Sequence, residues 1–287
     1  MGLFTPAWKS IDEKKAQKAV KKINNQKKLA RIVAEAPTVE ARKTAIEQLI
    51  PEQHQPLLAM IAKEDYDSTD WPELLRAAAF DKLTYQTFLA DVAKEAKTLG
   101  IRRGAVNKLI PEQHQTLLAA IAKDDEYSWI RISAIKKLIP EQHQSLLAVL
   151  AKEDEKEHVR ECAVKKLARK QHQLLLAKIA KEDKDATVRK AAVKQLYPER
   201  HQQLCAEIAK DDADWKVRQA AYFKLLKPTV KRSLIEYYSE HLQDNDRLLL
   251  AIYKRETEGD IRTMIAERDG KALHLGHANG GNKRSGE

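Results

Sequence analysis

Five of the nine histidines in this chain sit in one recurring phrase. "IPEQHQ" runs from Ile50 to Gln55, from Ile110 to Gln115 and from Ile139 to Gln144, and looser forms follow at 168–173 ("ARKQHQ") and 197–202 ("YPERHQ"). Imidazoles at positions 54, 114, 143, 172 and 201 are the residues here best suited to hold a metal or relay a proton. Zinc, however, needs its ligand nitrogens at about 2.0–2.1 Å, and side chains on successive stacked helices start about 8–10 Å apart. Neighbouring rungs would have to lean far toward each other, so the expected role is surface or joint capping, with no metal. His274 and His277 are close in sequence but lie in a Gly-rich tail without further ligands. Cys162 and Cys205 form neither a CxxC knuckle nor a disulfide framework, and both align with Ala or Leu in neighbouring units, which reads as core. The chain has no Gly-rich phosphate loop, GxSxG or HExxH. No catalytic residue and no cofactor is expected, and the chain reads as a non-enzyme.

The elements that position the histidines follow from spacing. Pro111, Pro140, Arg169 and Pro198 are each 29 residues apart, and Pro51 to Pro111 is 60, about two periods. Such a period marks a repeat protein. In "PEQHQSLLAVLAKEDEKEHVRECAVKKLA", Leu146, Leu147, Leu150 and Ala151 fall at helical spacing, as do Val159, Ala163 and Leu167, with the polar turn "KEDEKEH" between. Each unit is thus a helical hairpin, with a first helix from about 141 to 152 and a second from about 158 to 167. Pro suits the first helical position because its missing N–H costs nothing there, and Glu in the first turn complements the helix dipole. The phrase is a repeat joint.

The second helix carries its own phrase: "IRRGAVNKL" at Ile101, "IRISAIKKL" at Ile130, "VRECAVKKL" at Val159, "VRKAAVKQL" at Val188 and "VRQAAYFKL" at Val217. An Asp stands six residues before the Arg in the last four, at Asp125, Asp154, Asp183 and Asp212. This pattern resembles the HEAT-repeat family, over nearly the whole chain. The resemblance implies an all-α fold, a right-handed α-solenoid of about seven to eight HEAT-like hairpins with a 29-residue period. It also implies that the second helices line a concave face. Deoxyhypusine hydroxylases resemble HEAT solenoids too, but bind iron through His-Glu dipeptides, and this chain has none.

On a helical wheel Arg160 falls inside the apolar arc, so its charge requires a partner, and the loop acid Asp154 is the expected one. The same logic pairs Arg131 with Asp125, Arg189 with Asp183 and Arg218 with Asp212. Facing outward are two columns, Asn107, Lys136, Lys165, Lys194 and Phe223 beside Arg103, Ile132, Glu161, Lys190 and Gln219. Of these, Arg103, Lys136, Lys165, Lys190, Lys194 and Phe223 are the candidate partner-binding residues. Trp71, Trp129 and Trp215 are expected to pack under the turns between helices.

Charge is uneven along the chain. The total is +10, with +6 in residues 1–50, −4 in 51–100 and +5 in 151–200. The expected organisation is an N-terminal cap helix over 1–24 and HEAT-like repeats over 25–227. An extra helix near 229–242 with a degenerate capping repeat completes 228–269, the repeat starting at Leu248 with Arg262 in the Arg column, and a disordered tail fills 270–287. No run reaches the roughly 18 apolar residues of a membrane span, and "MGLFTPAWKS" lacks a signal's apolar stretch, so the expected location is the cytoplasm with no membrane partner. Two functions fit: a non-catalytic scaffold holding a protein partner, acidic in character, or a nucleic-acid-binding solenoid related to DNA repair. The second draws on alkylpurine DNA glycosylases, which also resemble HEAT-like solenoids with a basic concave face.

Overall fold

A computed structural model describes residues 5–64, 69–240 and Lys254, and among them every regular element is helical. After a lone α1 (Glu13–Val20), helices come as short antiparallel neighbours. They are α2 (Gln26–Glu35) with α3 (Val39–Gln48), α4 (Pro51–Lys63) with α5 (Glu73–Asp81), α6 (Gln86–Glu95) with α7 (Leu99–Lys108), and α8 (Gln115–Asp124) with α9 (Ser128–Lys137). Next come α10 (Gln144–Glu153) and α11 (Glu157–Lys166), then the pairs α12 (Gln173–Glu182) with α13 (Ala186–Gln195) and α14 (Gln202–Asp211) with α15 (Trp215–Tyr222), and finally α16 (Pro228–Glu240). The fold is all-α, built of helical hairpins, as the 29-residue period requires. The chain divides into two compact units, Met1–Leu150 and Ala151–Glu287, with the division inside α10.

The hairpins hold because the same apolar columns recur. Leu118, Leu147, Leu176 and Cys205 occupy one position on the first helices, and Ala134, Ala163, Ala192 and Ala221 one on the second, all of them fully buried. Small Ala lets second helices of successive hairpins approach closely, α7 against α9 in the first unit and α11 against α13 against α15 in the second. Gly104 serves the same end at another position, because a Cβ there would stand 2.8 Å from the Phe80 ring. α1 packs on α3 in the way later second helices pack on one another, and Gln48 Nε2 donates to its terminal carbonyl at Val20, 3.1 Å away.

The joint differs from the sequence expectation. Pro111–Gln113, Pro140–Gln142 and Pro198–Arg200 each form a separate short 3-10 turn, and the following helix starts only at Gln115, Gln144 and Gln202. Between them His114, His143 and His201 take φ near −130° and ψ near +25°, off the helical path. Proline therefore opens a turn rather than the first helix. α16 covers 228–240 of the expected extra helix, whereas the degenerate repeat from Leu248, Arg262 and the tail lie outside the described residues. No helix among the described residues is long and apolar enough to cross a membrane.

Candidate interaction surface

Which side chains face outward depends on which ones hold neighbouring hairpins together, and the joint glutamine is the first of these. Gln173, 6% exposed, donates from Nε2 to Arg169 O (2.7 Å) and Gln195 O (3.2 Å), and its Oε1 accepts from Tyr197 N (2.8 Å) in the next joint. Gln115 and Gln202 make the same three bonds to their own and the following joints. Gln55 does so with two N–H donors, Thr84 and Tyr85. Gln26 and Gln86 accept from Ile50 N and Ile110 N although neither lies in the IPEQHQ phrase. One amide supplies donor and acceptor together and so closes orphan backbone groups at two helix ends. Sequence reading fixed on His and Pro, but the glutamine column 26, 55, 86, 115, 144, 173, 202 was visible in the spacing.

A second set uses a lysine at the end of the second helix: Lys108 and Lys137 close α7 and α9, and Lys224 lies two residues beyond α15. Lys137 Nζ donates to Asn107 O (2.8 Å), Lys108 Nζ to Phe80 O (2.9 Å) and Lys224 Nζ to Lys194 O (2.8 Å). Each places a cation on the carbonyl end of the preceding second helix, where the dipole is negative. Burial pushes the Lys108 and Lys224 ammonium pKa values down from the ordinary lysine value.

The arginine rung connects hairpins in a direction the sequence did not reveal. Arg160 Nε and Nη2 meet Asp183 Oδ2 and Oδ1 at 2.8 and 2.9 Å, and Arg189 meets Asp212 at 2.7 and 2.8 Å. Each guanidinium thus grips the loop acid of the following hairpin, where Asp154 and Asp183 of their own loops had been expected. The own-loop Asp contributes its backbone carbonyl instead: Arg160 Nη1 to Asp154 O and Arg189 Nη1 to Asp183 O, both 2.9 Å. Arg131 and Arg218 likewise donate to the carbonyls of Asp125 (2.9 Å) and Asp212 (2.7 Å). The reason is local: each loop carboxylate folds into a tight turn, as where Asp154 accepts from Lys156 N and Asp183 from Asp185 N, both at 2.9 Å. In the first unit Arg102 reaches Asp125 at 3.3 Å, extending the pattern. The bidentate bond to Asp183 raises the Arg160 pKa above its ordinary value, and the bond to Asp212 does the same for Arg189.

The histidines are not surface groups. Nε2 of His54, His114, His143, His172 and His201 is buried with no hydrogen-bond partner among the described residues. Burial lowers the pKa of His54 and His201, the latter also through Arg200. Among the described residues no three His, Cys, Asp or Glu side chains gather as a metal site. Cys205 is fully buried, which pushes its thiol up to about 11, whereas Cys162 is only half-buried and so departs from the core reading.

What is left faces outward. In the second unit Lys165, Lys194 and Phe223 are exposed on the adjacent helices α11 and α13 and at the end of α15, with Lys190 half-buried beside them. Lys165 is paired with Glu161 at 2.7 Å, while Lys190 and Lys194 make no ion pair among the described residues. In the first unit Arg103, Asn107 and Lys136 are exposed, but Ile132, expected outward, is 7% exposed and belongs to the core. Trp129 also departs from expectation: it is 58% exposed rather than packed under its turn, and Tyr127 beside it is 41% exposed. Trp71 is half-buried under the guanidinium of Arg42, 4.1 Å from its ring centre. Comparison of the chain with known protein families and with curated proteins finds no match to either.

Proposed function

We propose that the protein is a non-catalytic HEAT-like scaffold that holds an acidic protein partner on the exposed columns of its second helices. One observation carries this reading. Recurring side chains, the joint Gln, the Lys at second-helix ends, and the Arg and Asp of the rung, are consumed in bonds between hairpins, whereas Lys165, Lys194 and Phe223 are among the positions left exposed on or at the end of adjacent second helices. Cations in a row that ends at a half-exposed aromatic suit an interface combining apolar and charged contacts. Within the first unit, Trp129 is 58% exposed, an aromatic of the type enriched in interfaces.

The test is affinity capture from nuclease-treated lysate of the native host, comparing the protein with a Lys136→Glu, Lys165→Glu, Lys190→Glu, Lys194→Glu variant. Reversal of exposed charges leaves the fold intact. The expected outcome is a stoichiometric protein partner, with an acidic contact region, that the variant loses. Capture of the same proteins by the variant refutes the reading. The unpaired Lys190 and Lys194 favour one second reading, nucleic acid on this face. Submicromolar duplex binding at about 150 mM salt that the variant loses, with a steep salt slope, selects it.

A further inference from the structure

A different part of the molecule, α1 and the start of α2, carries a concentration of exposed charge without ion-pair partners among the described residues. Lys14, Lys15, Lys18, Lys21, Lys22, Lys27 and Lys28 are all exposed, and none makes an ion pair among the described residues. Against these seven, residues 12–28 offer only Asp12 and Glu13, a net +5. Asp12 is engaged as the N-cap of α1, accepting from Lys15 N at 3.0 Å. The acid at the far end of α2, Glu35, is already shared by Lys9 at 3.3 Å and Arg31 at 2.7 Å. Some lysines elsewhere are tied down, as Lys63 to Glu95 at 2.7 Å, or capped onto carbonyls as described above.

The positions of four of these lysines are unfavourable for the helices that carry them, whereas Lys18, Lys21 and Lys22 stand at the C-terminal end of α1. Lys14 and Lys15 lie in the first turn of α1, and Lys27 and Lys28 in the first turn of α2, where the helix dipole opposes positive charge. Acids stand in the first turns of some helices, Glu13 in α1 itself, Glu40 in α3, Glu73 in α5 and Glu157 in α11, whereas α2 has none beside Lys27 and Lys28. Lys14 and Lys18 are also a like-charge pair one turn apart. Helix-dipole complementarity therefore does not explain Lys14, Lys15, Lys27 and Lys28.

We propose that α1 and the start of α2 form a docking surface for the phosphate backbone of duplex nucleic acid, separate from the second-helix columns. The chemistry of the patch selects this occupant. All seven groups are ammonium point charges, so the patch recognises phosphates without bidentate base reading. The adjacent Trp8 is buried, so it offers no platform for stacking unpaired bases. Ile11, 89% exposed, is a single apolar side chain, less than the second signal that stable membrane anchoring requires.

The experiment is fluorescence anisotropy of the full chain with a labelled 20-base-pair DNA duplex, from 50 to 200 mM salt. Contact with four to six phosphates gives a log–log slope of about −3.6 to −5.4, a loss of roughly 150- to 1,800-fold across that range. In Lys14→Gln, Lys15→Gln, Lys27→Gln, Lys28→Gln the slope should shrink by up to about 3.6 and binding at 50 mM should fall by more than tenfold. Its melting temperature should stay level or rise, since four adverse dipole contacts are gone. Absence of duplex binding at 50 mM, a slope shallower than about −2, or full binding by the variant overturns the proposal. So does binding that survives here but disappears in the second-helix lysine variant, or lysine-dependent binding to phosphatidylserine vesicles without duplex binding. The two variants share no residue, so this proposal and the scaffold reading fail independently.

Discussion

Removing the Arg160 guanidinium strikes the bond that joins two hairpins of the second unit. Arg160 and Asp183 are 3% and 7% exposed at the side chain and share two bonds of 2.8 and 2.9 Å. In Arg160→Ala, Asp183 keeps its bond from Asp185 N but loses both charged donors, and the carbonyl of Asp154 loses Arg160 Nη1. Breaking one partner of a buried pair costs about 3–5 kcal/mol, because the remaining charge is desolvated without compensation. At about 2–4 °C per kcal/mol for a chain of this size, the melting temperature should fall by on the order of 10 °C. The direction of the rung is resolved by double-mutant cycles in denaturant. Arg160→Ala with Asp183→Ala should show a coupling of about 1.5 kcal/mol or more. Arg160→Ala with Asp154→Ala should couple by less than about 0.5 kcal/mol, since Asp154 contacts Arg160 through a carbonyl that the substitution leaves in place. A melting shift within about 1 °C for both Arg160→Ala and Arg189→Ala would refute the buried rung, and a larger coupling to Asp154 would refute its direction.

The glutamine latch gives a second prediction: Gln173→Glu replaces the Nε2 donor by an acceptor facing Arg169 O and Gln195 O, and should destabilise by about 2–4 kcal/mol in urea unfolding, with little loss at the exposed Gln171. The joint histidines give a third. His54 and His201 have folded pKa values below the ordinary 6.5, so the unfolded chain takes up their protons first. Their contribution to stability is fully present above about pH 6.5 and is lost as pH falls below it; the melting temperature should drop over that window, and His54→Gln with His201→Gln should flatten the drop. A fourth concerns metal: equilibrium dialysis should detect no stoichiometric zinc, and micromolar binding abolished by His114→Gln, His143→Gln, His172→Gln would contradict the joint role.

The fold was legible because a 29-residue period with apolar residues at helical spacing leaves few other solutions. Hairpin boundaries came within about three residues, as with α10 at Gln144–Glu153 and α11 at Glu157–Lys166 against expected starts near 141 and 158. The rung direction was not legible. Asp154 lies six residues before Arg160 and Asp183 twenty-three after, and in a repeating chain both fall in register. Only the turn that folds the carboxylate away from its own helix distinguishes them, and that depends on backbone geometry. The burial of histidine Nε2 was not legible for a similar reason, because a ring at φ near −130° points differently from one on a regular first turn.

A repeat chain inverts the usual inference from recurrence to function. A residue that returns every 29 positions meets the same neighbours each time, so its role is to join one hairpin to the next, as Gln115, Gln173 and Gln202 do at 24 residues' reach. Chemistry directed at a partner needs positions where the repeat is free to vary. The second-helix column keeps Lys at 136, 165 and 194 but varies at its ends, to Asn107 and Phe223, and the lysine-rich α1 precedes the first complete hairpin. If the proposed scaffold function holds, substitutions at exposed positions that bond no neighbouring hairpin should alter binding while leaving the melting temperature in place. Substitutions in the strict columns should do the reverse.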